Sequence, residues 1–261
     1  ENVATQFGVS RQKQDQFALR SHQKASYAQK NGLFKEEILP VKTKVKDAKG
    51  NVLEVIVSED DGIRHDATLQ SLGSLKPAFK PDGASTAGNS SQVSDGAAAV
   101  LLMKRKKATE LGLPIIGKFI TSAVVGVPPS IMGVGPAYAI PEAVKKAGIT
   151  INDLDVVELN EAFASQALYC IEKLGLDPNR VNPKGGAIAF GHPLGCTGAR
   201  LVSTLLTELK RQNKRVGAIS MCMGTGMGMC AGFHCQPLSF ASFIVLVEPF
   251  TFLTWVLQLF L

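Results

Sequence analysis

The chain has 261 residues, of which 45% are hydrophobic and 19% charged, a composition that indicates a globular protein and argues against low complexity or disorder. Its formal net charge of +6 is compatible with an acidic partner, but its one basic cluster, at residues 104–107, lacks interleaved aromatic side chains, which argues against nucleic acid. Five widely spaced cysteines, with no signal peptide at the start, indicate reduced thiols rather than a disulfide framework.

The first third of the chain predicts a long helix and a hairpin. Ser10 is a candidate N-cap for a helix that runs to about residue 30. Residues 38–58 alternate in a strand-like pattern that a turn at residues 47–50 interrupts. Residues 73–95 are rich in Gly, Ser, Pro and Asp, which predicts an irregular segment before packed structure resumes at Asp95.

Strands and helices alternate in the rest of the chain. Strands are predicted at residues 97–103, 114–127, 155–160 and 216–221, and helices at 104–112, 140–148, 163–174 and from about 197 to 209. Pro141 is expected in the first turn of its helix, where a proline is tolerated. This alternation predicts an α/β fold with helices packed on a sheet.

The motif Asn160-Glu161-Ala162-Phe163 lies where a predicted strand gives way to a helix. The Asn160 side chain can hold a water or a substrate oxygen at such a junction. It can equally serve as the N-cap of the helix that follows. The motif alone leaves both roles open.

A glycine-rich loop surrounds His192, in the sequence GGAIAFGHPLGCTGAR at residues 185–200. A lone histidine in a loop is commonly a surface residue. Five glycines in sixteen residues, however, exceed what a turn requires. They favour a loop whose backbone approaches a ligand.

The stretch MCMGTGMGMC at residues 221–230 follows a predicted buried strand. In an extended segment Gly224, Gly226 and Gly228 would lie on one face and leave room for a flat thioester beside Cys222, which would carry a proton. Close packing against another element explains the glycines equally well. Met229 stands where a dinucleotide fingerprint requires its third glycine, so phosphate binding is not expected.

A zinc site formed by Cys222, Cys230, His234 and Cys235 is disfavoured by spacing. The adjacent His234 and Cys235 cannot easily point at one ion, and no CxxC pair is present.

Together the three motifs resemble the thiolase family, and within it the peroxisomal type of 3-ketoacyl-CoA thiolase. Their order and spacing match those of the family, as does the amino-acid sequence of residues 86–99, 124–139 and 191–200. The resemblance implies a thiolase-like fold of two related halves, each with layered mixed sheets and helices, and an inserted loop domain. On that template the chain comprises four segments: the remainder of the loop domain (1–88), the end of an incomplete N-terminal half (89–127), the C-terminal half (128–233) and an apolar non-family tail (234–261).

The resemblance also implies an activity and a set of site residues. The reaction is that of an acetyl-CoA C-acyltransferase of fatty-acid β-oxidation, in which CoA cleaves a 3-ketoacyl-CoA into acetyl-CoA and a shortened acyl-CoA. His192 and a water held by Asn160 would bind the enolate oxygen, Cys222 would supply the proton, and the Gly224 N–H would stabilise the oxyanion. Met132 and Gly133 would line the acyl and thioester channel. CoA is a co-substrate, and no cofactor or metal is expected.

The sequence departs from the family at the nucleophile. Thiolases are acylated on a first-half cysteine within a Cys-Ser/Ala-Ser-Gly type motif. None of the five cysteines here, Cys170, Cys196, Cys222, Cys230 and Cys235, has that context. The chain is therefore expected to be inactive alone. The alternative is a non-catalytic thiolase-like protein that binds acyl-CoA or lipid.

The apolar stretch at residues 238–261 is long enough to cross a bilayer, which admits a membrane-tethered variant. Glu248 and Pro249 in its middle argue against a span. The resemblance implies a homodimer in the full-length family member. It also implies a peroxisomal location, although the final three residues are no peroxisomal address.

Overall fold

The computed structural model describes residues 1–235 and 245–247. Most of the predicted tail, including the candidate membrane segment at residues 238–261 except for 245–247, lies outside the described residues. Among the helices that are described, none is both long and apolar enough to span a membrane.

The N-terminal helix and hairpin form as predicted. After the short helix α1 (Asn2–Phe7), α2 spans Arg11–Lys30, and its N-cap Ser10 accepts a hydrogen bond from the Lys13 N–H at 3.3 Å. Strands β1 (Val41–Lys46) and β2 (Val52–Val57) pair antiparallel around the predicted turn. The predicted helix and hairpin are therefore confirmed.

A mixed sheet forms the centre of the molecule, in the order β3-β8-β4-β7-β6-β5. Its strands are β3 (Leu102–Met103), β4 (Gly117–Gly126), β5 (Val156–Leu159), β6 (Val216–Met223), β7 (Met227–Cys235) and β8 (Val245–Val247). The helices of the chain beyond α2 are α3 (Leu69–Gly73), α4 (Arg105–Glu110), α5 (Pro136–Lys146), α6 (Ala164–Leu174), α7 (Ala187–Phe190) and α8 (Leu194–Arg211). Two 3₁₀ turns, at Pro129–Val134 and Ile151–Asp153, flank α5.

Helices cover both faces of this sheet. Ile140 of α5 and Ile171 of α6 belong to one apolar cluster with the sheet, whereas Leu205 and Leu209 of α8 belong to another. The leucine spacing that predicted α8 is thus the spacing of its buried face. The α/β class with helices packed on a sheet is confirmed.

The outer edge of β5 is covered by the chain that leads to the loop around His192. The Asn182 N–H donates to the Val157 carbonyl, and the Val157 N–H donates to the Arg180 carbonyl. All four residues of β5 are buried as a result. This pairing places the start of the histidine loop, defined here as residues 185–193, beside the carboxyl end of β5.

The strand predicted at residues 97–103 is mostly wrong. Only Leu102–Met103 pairs, with β8, and the backbone of residues 91–101 is irregular in the described structure. A strand requires a hydrogen-bonding neighbour, and residues 97–101 have none among the described strands. Side chains on this segment, such as Val93 and Leu101, are therefore exposed, and packed structure does not resume at Asp95.

Helix α5 begins earlier than predicted. It spans Pro136–Lys146 rather than residues 140–148, so Pro141 lies inside the helix instead of in its first turn. Pro136 occupies the first turn, where its missing N–H removes no helical hydrogen bond. Burial of residues such as Ile140 against the sheet offsets the hydrogen bond that Pro141 cannot make.

The four-segment division of the chain remains a prediction. Strand β4, which the prediction assigned to the end of the N-terminal half, pairs with β7 in the same sheet as β5 and β6.

The hydroxyl of Thr204 is buried in α8. Thr204 is 1% exposed, and its Oγ1 has no hydrogen-bond partner within the described residues. Because isosteric valine removes this desolvated polar atom, we expect Thr204→Val to raise the free energy of unfolding by about 1 kcal/mol. Urea denaturation would measure the change. A decrease would contradict the prediction and mean that the hydroxyl has a partner in solution.

Candidate active site

The carboxyl ends of two parallel strands bring Asn160 and Cys222 to one edge of the sheet. Strand β5 pairs with β6, and Leu159 lies opposite Ser220. The Asn160 N–H continues the pairing by donating to the Ser220 carbonyl at 2.9 Å. Cys222 follows Ser220 by two residues on β6. The residues of two motifs that are 62 positions apart in the chain (222 minus 160) are therefore neighbours in space.

The Asn160 side chain points to His192. Its Nδ2 lies 3.2 Å from the His192 Nε2. Asn160 is 2% exposed, and its Oδ1 has no hydrogen-bond partner among the residues that the structure describes. The helix α6 has Phe163 as its N-cap, so the capping role considered for Asn160 is wrong. A buried amide oxygen with unused hydrogen-bonding capacity fits a role in holding a water or a substrate group.

His192 is held both through its ring and through its backbone. Its Nδ1 lies 2.7 Å from the Thr197 Oγ1, and its backbone N–H donates to the Gln92 carbonyl at 3.2 Å. Burial lowers the pKa of His192 below its usual value, so the imidazole is neutral at neutral pH. Gly191 before it has a φ of 91°, and a Cβ there would collide with the Ser94 side chain. That glycine is required by the loop's conformation.

A buried carboxylate, Glu161, joins the Asn160 motif to the histidine loop. It accepts hydrogen bonds from the Ser21 hydroxyl at 2.6 Å, the Asn182 amide at 2.8 Å and the Ile188 N–H at 3.3 Å. The Ser21 hydroxyl in turn accepts from the Gly186 N–H at 3.0 Å. The carboxylate thus holds the histidine loop directly at Ile188 and, through the Ser21 hydroxyl, at Gly186.

The sequence alone predicted no role for Glu161. Its position next to Asn160, at the end of a buried strand, was the available signal. A carboxylate in such a place requires buried donors, and these come from residues far away in the sequence.

The glycines of residues 224–228 do not share one face of an extended strand, contrary to the prediction. Gly224 and Gly226 lie in the turn between β6 and β7, with Thr225 at a φ of 71°. Gly228 lies opposite Cys222, and a Cβ on it would collide with the backbone of Gly135. Close packing therefore explains Gly228. A Cβ on Gly224 would meet no atom within 4 Å, so this position borders open space.

The Cys222 thiol is half-buried at the end of β6. Burial raises its pKa above the usual value, so the thiol keeps its proton at neutral pH. A protonated thiol can act as an acid toward a carbanion, which is the role the sequence predicted.

The 3₁₀ turn with Met132 and Gly133 lies between α6 and the sheet. The Gly133 carbonyl accepts from the Gln166 side chain at 3.4 Å, and a Cβ on Gly133 would lie 2.7 Å from the Gln166 Cβ. The lack of a side chain at Gly133 therefore allows α6 to approach. Contact of Met132 and Gly133 with an acyl chain stays a prediction. Within the described part of the chain, no group of three His, Cys, Asp or Glu side chains is arranged to hold a metal ion.

A cluster of buried titratable groups lies next to the histidine loop. Lys184 forms an ion pair with Glu37 at 3.1 Å, and Glu158 and Glu208 are buried nearby. Burial raises the pKa of Glu158 to about 8, an effect that Glu37, Glu208 and Glu161 increase and that Lys184 opposes. Glu158 is therefore protonated in the folded protein at neutral pH.

Glu158 makes stability depend on pH. Between its unfolded pKa of 4.5 and its folded pKa of about 8, the folded state binds more protons, so the free energy of unfolding falls as pH rises. The fall is at most about 1.4 kcal/mol per pH unit. We expect the Glu158→Gln variant to lack this dependence. The free energy of unfolding of the variant minus that of the wild type should therefore increase from pH 4.5 to pH 8. Urea denaturation at the two pH values measures it, and stability curves that stay parallel would contradict the prediction.

The chain is similar to known proteins both in sequence and in structure. The family model described as the thiolase N-terminal domain matches residues 1–106, and that of the thiolase C-terminal domain matches residues 113–234. The peroxisomal 3-ketoacyl-CoA thiolase A of Mus musculus is 64% identical over 235 residues, which cover 90% of this chain and 55% of the relative. The peroxisomal 3-ketoacyl-CoA thiolase 2 of Arabidopsis thaliana is 63% identical over 237 residues, covering 90% and 51%.

Solved structures of similar proteins also match most of this chain. The dimeric peroxisomal thiolase of Saccharomyces cerevisiae matches with a TM-score of 0.78 and 52% identity, over 90% of this chain and 57% of that one. The acetyl-CoA acetyltransferase of Bacillus anthracis matches with a TM-score of 0.84 and 39% identity, over 90% and 58%. The chain spans about half the length of the curated relatives it matches.

Proposed function

This chain belongs to the thiolase family, and from that premise we propose that the protein it forms is an acetyl-CoA C-acyltransferase that cleaves a 3-ketoacyl-CoA with CoA. The observation that carries the proposal is the pair formed by Asn160 and His192, 3.2 Å apart, beside the strand end that bears Cys222. The names of the relatives support the substrate and the reaction.

The cleavage requires stabilisation of an enolate. When the bond between C2 and C3 of the 3-ketoacyl group breaks, its electron pair moves to C2 and into the thioester carbonyl. The enolate oxygen then needs hydrogen-bond donors, and C2 needs a proton. His192, once protonated, and a water on Asn160 would provide the donors. The protonated thiol of Cys222 would give its proton to C2, which completes acetyl-CoA, and would recover a proton from the incoming CoA thiol.

The acyl group left at C3 must pass to the CoA sulfur through a nucleophile. In the family this is a cysteine in a motif that the present sequence does not contain. Cys170 and Cys230 are fully buried, and burial raises the pKa of each thiol to about 12. Neither can serve as an activated nucleophile. The 261-residue chain therefore supplies the acid/base part of the site, and we expect it to show no thiolysis alone.

Location and assembly follow from the relatives. Since the curated relatives are peroxisomal enzymes and one solved relative is dimeric, the protein is proposed to act in the peroxisome as a homodimer. Its partners are a 3-ketoacyl-CoA and CoA.

The test compares two proteins. One is the 261-residue chain alone, and the other, called the joined protein below, is the same chain preceded by the N-terminal part of the Mus musculus relative. Loss of the 3-ketoacyl-CoA substrate with release of acetyl-CoA is expected only for the joined protein. Intact mass after incubation with acetyl-CoA should show a covalent acetyl group on the joined protein and none on the chain alone.

One outcome would overturn the proposed activity, and a second would overturn the expectation that the chain alone is inactive. A folded joined protein that shows no thiolysis, yet binds acyl-CoA as tightly after His192→Ala and Cys222→Ala, would indicate a non-catalytic carrier. An acetyl adduct on the 261-residue chain that persists in Cys222→Ala would mean that another of its cysteines is the nucleophile.

A further inference from the structure

The hydroxyl of Thr197 lies between two hydrogen-bond partners. Its oxygen is 2.7 Å from the His192 Nδ1 and 2.9 Å from the Pro193 carbonyl oxygen. Thr197 is 3% exposed, in the first turns of α8. Burial keeps bulk water away from these contacts. The single hydroxyl hydrogen can point either to the His192 Nδ1 or to the Pro193 carbonyl oxygen.

The direction of that hydrogen determines the tautomer of His192. The Pro193 carbonyl can only accept, and the geometry has the Thr197 hydroxyl donate to it. The Thr197 oxygen can then only accept from His192, so the ring proton lies on Nδ1. The Nε2 that faces the Asn160 amide consequently carries a lone pair, which agrees with an Asn160 Nδ2 donor at 3.2 Å.

We propose that Thr197 is a positioning residue that keeps the proton of resting His192 on Nδ1 and so presents Nε2 to the site as a base. This inference rests on the proposed function in one respect, that Nε2 accepts the proton of the nucleophilic cysteine thiol, whereas the CoA thiol gives its proton to Cys222. After that transfer the Nδ1–H still donates to Thr197, and the new Nε2–H becomes a donor for the developing oxyanion. A single fixed hydroxyl thus serves both states of the ring.

Without the hydroxyl the opposite tautomer becomes favourable. In Thr197→Val the Nδ1–H would have no acceptor, whereas the Asn160 Oδ1, which has no partner within the described residues, could accept from an Nε2–H after a flip of the amide. The site would then lack a base. Thr197→Ser keeps the oxygen and should keep the Nδ1–H tautomer.

Nitrogen NMR of the 261-residue chain, labelled at histidine, tests the inference without any turnover. The four histidines are separated by comparison with His192→Gln. We expect His192 to carry its proton on Nδ1 in the wild type and in Thr197→Ser, and on Nε2 in Thr197→Val. Thr204→Val, a buried threonine of the same helix, is the matched control and should leave the His192 signals unchanged. A proton on Nε2 in the wild type, or an unchanged tautomer in Thr197→Val, would overturn the inference.

Kinetics of the joined protein give a second test. Thr197→Val should lower kcat by about 10- to 100-fold, by analogy with residues that orient metal-binding histidines, and should leave KM nearly unchanged. The acidic limb of the kcat/KM profile should also move to lower pH, because the imidazolium loses an acceptor. Thr197→Ser should restore both values. A wild type that shows the Nδ1–H tautomer but no thiolysis would contradict the proposed function and leave this inference supported.

Discussion

Cys222→Ala should lower the thiolysis rate of the joined protein by about 10²- to 10⁴-fold, the range observed when a positioned acid or base is removed. The thiol lies at the end of β6, beside β5, which ends just before Asn160, and burial keeps the thiol protonated. Alanine retains the packing of a small side chain but has no proton to give to C2. The effect should fall on kcat and kcat/KM equally, because the proton transfer occurs only during the reaction.

The measurement separates chemistry from folding. Exchange of the acetyl-CoA methyl hydrogens with deuterated water reports the proton transfer directly and should be lost together with thiolysis. Cys196→Ala is the matched control, since Cys196 is a largely buried cysteine of the adjacent α8 with no proposed chemistry. If Cys222→Ala exchanged methyl hydrogens as fast as Cys196→Ala, Cys222 would not be the acid.

Glu161→Ala should destabilise the fold by about 3–5 kcal/mol. The substitution leaves the Ser21 hydroxyl, the Asn182 amide and the Ile188 N–H without their buried acceptor. Each unsatisfied buried donor costs about 1–3 kcal/mol, and partial relaxation reduces the sum. The activity of the joined protein should fall as well, because the histidine loop loses the hydrogen bond from the Ile188 N–H to Glu161. Urea denaturation measures the loss of stability.

An exposed glutamate provides the comparison. Glu172 lies on α6 and pairs with Lys13 at 3.0 Å, with about half of its side chain exposed. Glu172→Ala should cost no more than about 1 kcal/mol, as is usual for a surface ion pair. Glu161→Gln should fall between the two, since its amide keeps one acceptor oxygen where the carboxylate has two. Equal costs for Glu161→Ala and Glu172→Ala would mean that the buried hydrogen bonds contribute little.

Local patterns in the sequence were sufficient for most of the fold. The cap at Ser10, the hairpin around residues 47–50 and the apolar period of α8 each depend on neighbours in the chain. The strand at residues 97–103 failed because pairing depends on a partner, which apolar character does not supply. The prediction that Pro141 lies in the first turn of its helix failed for a related reason, because the packing of α5 against the sheet outweighs a local helix signal.

The candidate site was predictable by residue type but not by geometry. Asn160, His192 and Cys222 were identified from three separate motifs, and the first two lie in contact. The roles of Thr197 and Glu161 were not predictable, because each depends on which atom a side chain faces. The alternating glycines at 224, 226 and 228 predicted an extended face, whereas a tight turn satisfies the same spacing with a left-handed Thr225.

The hydrogen bond from Ser21 to Glu161 joins residues that are 140 positions apart. Contacts of such long sequence separation carry a high loop-closure entropy and tend to form late when a chain folds. The sheet and α8 are formed by residues from 102 onward and can assemble without α2, but the histidine loop acquires its final conformation only when α2 has docked. Recovery of activity during refolding of the joined protein should therefore lag behind recovery of its secondary structure, and the delay would report the docking of α2.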